Sequence, residues 1–203
     1  MTLFYRCFAH SVYWASKLLY GLEVTGTENI PRSGSFILVS NHRSWMDPPL
    51  LVAAARLREV AFMAKEELFE KAGVGPLITW LHAFPVSRKG FDRGALRIAI
   101  DRLKTGRAIG IFPEGKRSDT YQMLEWRPGL ALLVRQSGAP ILPAAILESR
   151  ETFEVGKWSF RNRRLRIHFG PLIETSDDTS SREISDRQAD RAQAAVLGLL
   201  NGA

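Results

Sequence analysis

A chain of 203 residues, 45% hydrophobic and 24% charged, is long enough to bury one full core and has the composition of an ordinary globular domain. Its single cysteine, Cys7, excludes an intrachain disulfide and a cysteine-based metal site. The formal net charge of +7 points to an anionic partner: nucleic acid, anionic lipid headgroups or a phosphorylated small molecule.

Residues 2–22 pattern as an amphipathic helix. Arg6, His10, Tyr13 and Lys17 recur along one side, and Phe4, Phe8, Ala15, Leu18, Leu19 and Leu22 fall mainly on the other. The stretch lacks the roughly 20 unbroken apolar residues of a transmembrane helix, and its basic residues interrupt any signal-peptide core. Tyr5, Tyr13, Trp14 and Tyr20 favour a bilayer interface. Two readings stay open: a helix lying in a membrane surface or over an acyl-chain groove, and an ordinary helix packed on the core.

A short strand at 22–27 and a turn-rich loop lead to the apolar run Phe36-Ile37-Leu38-Val39, a buried strand. A helix from Pro48 to about residue 58 and a strand at 59–64 follow. A helix is expected from Lys65 to about residue 72, interrupted by Gly73-Val74-Gly75-Pro76 and followed by a short apolar segment. Further strands read at 83–87, 108–112, 140–147 and 165–169, with helices at 91–103, 128–138 and 182–200. Pro143 suggests an edge, a bulge or a strand terminus. The alternation predicts an α/β fold: a single domain with a mixed, largely parallel sheet flanked by helices and preceded by the amphipathic helix. The expected organisation is 1–21 as a membrane-associating helix, 22–175 as the main domain and 176–203 as a C-terminal helix packed on it.

Asn41-His42-Arg43-Ser44-Trp45-Met46-Asp47 follows the apolar strand, at the edge where open α/β sheets bind ligands. On a regular helix His42 and Asp47 would lie roughly 140° apart, so they meet only if the backbone between them turns. Asp47-Pro48 is also a good helix start, which would make Asp47 an N-cap and His42 a loop histidine. The sharper reading makes His42 a general base oriented by Asp47. Phe112-Pro113-Glu114-Gly115-Lys116-Arg117-Ser118 combines a glycine with two cations, which suits a phosphate. If the strands are parallel, these loops and 87–89 share one edge. No spacing suggests a metal site.

These blocks resemble the glycerolipid acyltransferase family of the bacterial PlsC type, the 1-acylglycerol-3-phosphate acyltransferases. Asn41-His42 with Asp47 resembles the family's NHxxxxD block, and Phe84-Pro85-Val86-Ser87-Arg88 its second block. Phe112 to Ser118 resembles FPEGTRS, and Leu142-Pro143-Ala144 the fourth block. Arg127-Pro128-Gly129 is among the connecting pieces that also match, over roughly residues 22–172. The resemblance implies acyl transfer from a thioester on coenzyme A or acyl carrier protein, with no other cofactor, to a lysophospholipid hydroxyl. It implies His42 as base and Asp47 as its partner. Asn41, Lys65, Arg88, Glu114, Gly115, Lys116 and Arg117 would bind the acceptor, Asn41 by shaping the base's loop. Lys116 departs from the family's usual threonine, which leaves the acceptor headgroup open.

An anionic membrane surface is the expected partner, with peripheral or monotopic attachment at its cytoplasmic face. Two other readings remain: the same chemistry on another lysolipid, and a non-catalytic lipid-binding module. Nucleic-acid binding through the basic residues of 157–166 is not expected, because no such motif is present.

Overall fold

The strand ahead of Asn41 is the centre of the molecule. In the computed structural model, which describes residues 1–87, 90, 92–118, 122–149, 165–175 and 181–202, it runs Ile37–Ser40 as β2, buried throughout. The other strands are β1 (Glu23–Thr25), β3 (Val60–Lys65), β4 (Phe84–Val86), β5 (Ala108–Ile111), β6 (Ile141–Leu147) and β7 (Arg166–Phe169). They form one sheet in the order β1-β7-β6-β2-β5-β3-β4. The five strands from β6 to β4 are parallel; β7 is antiparallel to β6, and β1 is parallel to β7. This is the single α/β domain with a mixed, largely parallel sheet that the alternating pattern implies.

Both faces of the sheet are covered, so the central strands read as continuous apolar runs rather than alternating ones. On one face lie α1 (Leu3–Tyr20) and α2 (Asp47–Ala54), which bury Tyr5, Ala9, Leu50 and Leu51 against Leu38, Phe62 and Ile146. On the other lie α4 (Arg93–Lys104), α5 (Gly129–Ser137) and α6 (Arg182–Asn201), burying Ala99, Leu103, Leu133, Ala192 and Val196 against Ile37, Ile109 and Ile141. Each fully buried leucine or isoleucine contributes about 1.5–3 kcal/mol. After β2 the chain leaves toward the first face through α2, and after the neighbouring β5 toward the second through α5. Their carboxyl ends therefore flank a crevice, which places the site.

Two local expectations are corrected. Residues 66–72 do not form a regular helix; a single 3₁₀ turn, Glu66–Leu68, is followed by α3 (Val74–Trp80). Pro76 lies in the first turn of α3, where N–H groups have no intrahelical acceptor to lose. Pro143 sits in an interior strand rather than at the sheet's edge. Its carbonyl accepts the Gly170 N–H at 2.8 Å, one residue beyond the last paired residue of β7, so its missing donor falls where that ladder ends.

On α1 the covered side is a narrow one. Its buried residues are Tyr5, Ala9, Ser16 and Tyr20, not its leucines. The phenol of Tyr5 accepts the Val60 N–H at 3.0 Å and donates to the Val60 carbonyl at 3.4 Å, at the amino end of β3. The outward side carries Leu3, Phe4, Trp14, Leu18 and Leu19, with Leu18 78% and Trp14 61% exposed. No described helix is long and apolar enough to cross a membrane.

Candidate active site

The turn after β2 is built around the Asp47 carboxylate. Its Oδ2 accepts the main-chain N–H groups of Arg43 and Ser44, each at 2.7 Å, and the His42 Nδ1–H at 2.9 Å. Asp47 is therefore not the cap of its own helix. It faces back along the chain, and the turn it stabilises bends the backbone enough to join residues that a straight helix would hold apart. Asp47 is fully buried and His42 nearly so. With the Nδ1 proton donated to the carboxylate, Nε2 keeps its lone pair, the state required of a base.

The imidazole is held from its other sides as well. Phe112 stacks on it at 4.1 Å between ring centroids, and Phe62 stacks on Phe112 at 5.6 Å. The Glu114 Oε1 accepts the His42 N–H at 2.7 Å, and the Ser118 N–H donates to the His42 carbonyl at 2.8 Å. The loop after β5 thus grips both polar atoms of the histidine's main chain. The second Glu114 oxygen accepts the Leu124 N–H at 2.9 Å. Burial raises the Glu114 carboxyl above its usual range, while these N–H bonds, and more weakly His42 and Arg43, pull it back.

Asn41 is engaged in the same way. Its amide donates to the Ile146 carbonyl at 2.9 Å and accepts the Ile146 N–H at 2.8 Å, extending the sheet toward β6 by one side chain. Asn41, expected to shape the base's loop, and Glu114, expected at the acceptor, both bind main-chain groups here and hold the histidine's turn.

His42 lines a cleft of about 570 Å³ over the carboxyl ends of β3, β4 and β5. Apolar side chains (Met63, Leu96, Ile111, Leu130 and Leu133) share its walls with Lys65, Arg117 and Arg127. Lys65 forms an ion pair with Glu67 at 2.8 Å. Gly115 and Arg117 line the cleft, whereas Lys116 is exposed and does not. Asp92 also lines it, but its two oxygens accept the N–H groups of Ala95 (2.9 Å) and Ser87 (2.7 Å), which hold its carboxyl below the usual range. Arg88 lies outside the described residues, as do 157–164 of the basic segment. Arg127 and Trp45 line the cleft without having been singled out as site residues; Arg127 was legible only as the start of a matching piece.

An imidazole paired to a buried carboxylate, facing a cleft with apolar and cationic walls, is a site in which an open α/β enzyme can activate a hydroxyl of an amphipathic anion. Comparison with known proteins gives that class a family: residues 21–147 match the acyltransferase family. The chain is 30% identical over 173 residues to the 1-acyl-sn-glycerol-3-phosphate acyltransferase of Bacillus subtilis, covering 85% of this chain and 84% of that one. It is also 30% identical over 153 residues to the enzyme of the same name from Streptococcus pneumoniae, spanning 74% of this chain but only 55% of that one. The crystal structure of the 1-acyl-sn-glycerophosphate acyltransferase PlsC from Thermotoga maritima superposes with a TM-score of 0.74 at 28% identity, covering 94% of this chain and 79% of that one. The chain belongs to the acyltransferase family.

Proposed function

We propose that this acyltransferase moves a fatty acyl group from a thioester, on coenzyme A or acyl carrier protein, to the sn-2 hydroxyl of 1-acylglycerol 3-phosphate, giving phosphatidic acid. The observation that carries the reading is the 2.9 Å contact between His42 Nδ1 and Asp47 Oδ2 beside a cleft with apolar and cationic walls. The names of the relatives supply the acceptor.

In this reading His42 Nε2 takes the proton of the acceptor hydroxyl as its oxygen attacks the thioester carbonyl. Asp47 stabilises the imidazolium that forms. The tetrahedral intermediate collapses, the C–S bond breaks, and the imidazolium returns the proton to the departing thiolate. An ester and a free thiol result, and no acyl-enzyme is needed. Base assistance of this kind accounts for about 10²–10⁴-fold, with the rest from positioning. Lys65, Arg117 and Arg88 are the cations proposed for the acceptor phosphate.

The outward apolar side of α1 supports peripheral attachment to an anionic membrane at its cytoplasmic face. Trp14 and Leu18 would enter the interface, and Lys17, 5.6 Å from the Trp14 ring, would meet the headgroups. Vesicle sedimentation of a Trp14→Ala, Leu18→Ser variant tests this: binding to anionic vesicles should fall while turnover of a short-chain, soluble lysophosphatidate is kept.

Thiol release from acyl coenzyme A, followed with and without acceptor, tests the reaction. Release should require 1-acylglycerol 3-phosphate and vanish in His42→Ala. Acceptor-independent release would make the protein a thioesterase, and an active His42→Ala would remove the base.

A further inference from the structure

We infer that Arg127 is an anchoring residue for a phosphate monoester in the active-site cleft, and that it favours a doubly charged acceptor headgroup over a singly charged one. This rests on the acyl-transfer reading of the same site.

Arg127 is positioned from two directions. Its N–H donates to the Pro113 carbonyl at 2.9 Å, which ties it to the loop after β5. Its side chain lies against the main chain of Gly115, where φ is +70°; a Cβ there would come within 2.6 Å of Arg127 Nε and 2.9 Å of Cδ and Cζ. With no side chain between them, the Arg127 guanidinium is laid along the same loop that carries Arg117.

The charge arrangement gives the ligand class. Among the described cleft residues the one carboxylate is Asp92, and both of its oxygens are taken by main-chain N–H groups. Lys65 is offset by Glu67. The guanidinium groups of Arg117 and Arg127 have no ion-pair or hydrogen-bond partner among the described residues. Two uncompensated cations in one concavity raise the local concentration of anions, and the guanidinium fork matches phosphate geometry. A phosphate monoester carries close to two charges at neutral pH, its second pKa being about 6; a phosphodiester carries one. Arg117 and Arg127, added to the other cations proposed there, therefore favour the more highly charged monoester. That group occurs on the acceptor and also as the 3′-phosphate of a coenzyme A donor, so a test has to separate the two.

The experiment compares wild type, Arg127→Gln and Arg127→Lys. Each is assayed on lysophosphatidate, a monoester, and on lysophosphatidylglycerol, a diester, with acyl coenzyme A and with acyl pantetheine, which has no phosphate. Expected for Arg127→Gln is a KM for lysophosphatidate raised about 10- to 100-fold with either donor. Its kcat, and its KM for the diester, should stay within about threefold, and Arg127→Lys should recover part of the loss. Equal effects on the two acceptors, no effect, or an effect confined to acyl coenzyme A would overturn the assignment. Stabilisation of the folded protein by glycerol 3-phosphate reads the anchor without turnover: Arg127→Gln should lose it, and a retained shift counts against the inference. If wild-type protein acylates neither acceptor, the acyl-transfer reading falls, and the glycerol 3-phosphate shift still decides Arg127.

Discussion

The carboxylate of Glu114 accepts the main-chain N–H of His42 at 2.7 Å across 72 residues of sequence. The acid of the second loop thus holds the imidazole of the first, and its other oxygen holds the Leu124 N–H. In Glu114→Gln one acceptor remains, but the amide NH₂ then opposes a second N–H. A buried donor left unpaired costs about 1–3 kcal/mol. Chemical denaturation should show that loss, and kcat should fall because the histidine's turn loosens.

Asp47 has a different task, since three donors converge on one of its oxygens. Asp47→Asn preserves shape but offers the imidazole a neutral partner that cannot stabilise its charged form. The expected outcome is a kcat lower by about 10²–10⁴-fold, with KM for the acceptor little changed. Steady-state kinetics at saturating donor decides it, and a change confined to KM would make Asp47 a turn-forming residue alone.

Gly110 links the sheet to the same imidazole. It pairs with Phe62 across β3 and β5, and a Cβ on Gly110 would lie 2.3–2.6 Å from three atoms of the Phe62 ring. Phe62 stacks on Phe112 and Phe112 on His42, so a methyl group here pushes a column that ends at the His42 imidazole. Gly110→Ala should cost about 1–3 kcal/mol through overpacking and lower kcat as well. Unchanged kcat with lowered stability would uncouple the column from catalysis.

Much of this was legible in the sequence, for identifiable reasons. The strand before Asn41 is an unbroken apolar run, and parallel strands with covered faces leave that signature. The His42–Asp47 pair follows such a strand at a spacing that only a turn can close. Less legible was the direction in which Asp47 faces, because a helix cap and a backward-facing turn acceptor call for the same residue type. The partners of Asn41 and Glu114 were hidden by distance: Ile146 lies 105 residues from one, His42 lies 72 from the other, and all three contacts go to main-chain groups that carry no residue code. The face of α1 turned inward was hidden for another reason. Periodicity separates two sides of a helix but does not say which is covered, and here the covered side holds two tyrosines, one of them engaged in hydrogen bonds at β3.

That tyrosine gives the last prediction. Tyr5 is fully buried, and burial raises its phenol well above the ordinary tyrosine range, with the bond to the Val60 carbonyl opposing the shift and the nearby Glu59 adding to it. Its hydroxyl satisfies both polar atoms of Val60, so Tyr5→Phe leaves a buried N–H and a buried carbonyl unpaired, costing about 1–3 kcal/mol at neutral pH. The pH dependence separates this from a simple packing loss. Above about pH 10 the unfolded chain releases the phenolic proton while the folded chain retains it, so the folded state binds one proton more. Wild-type stability therefore falls by about 1.4 kcal/mol per pH unit from this group alone, a contribution complete below pH 10 and lost as pH rises above it. Tyr5→Phe lacks that slope. Urea denaturation between about pH 9 and 11 should show the variant less stable at the lower end and the two curves converging at the upper end. Parallel curves would mean that the Tyr5 hydroxyl ionises as readily in the folded protein as in the unfolded one.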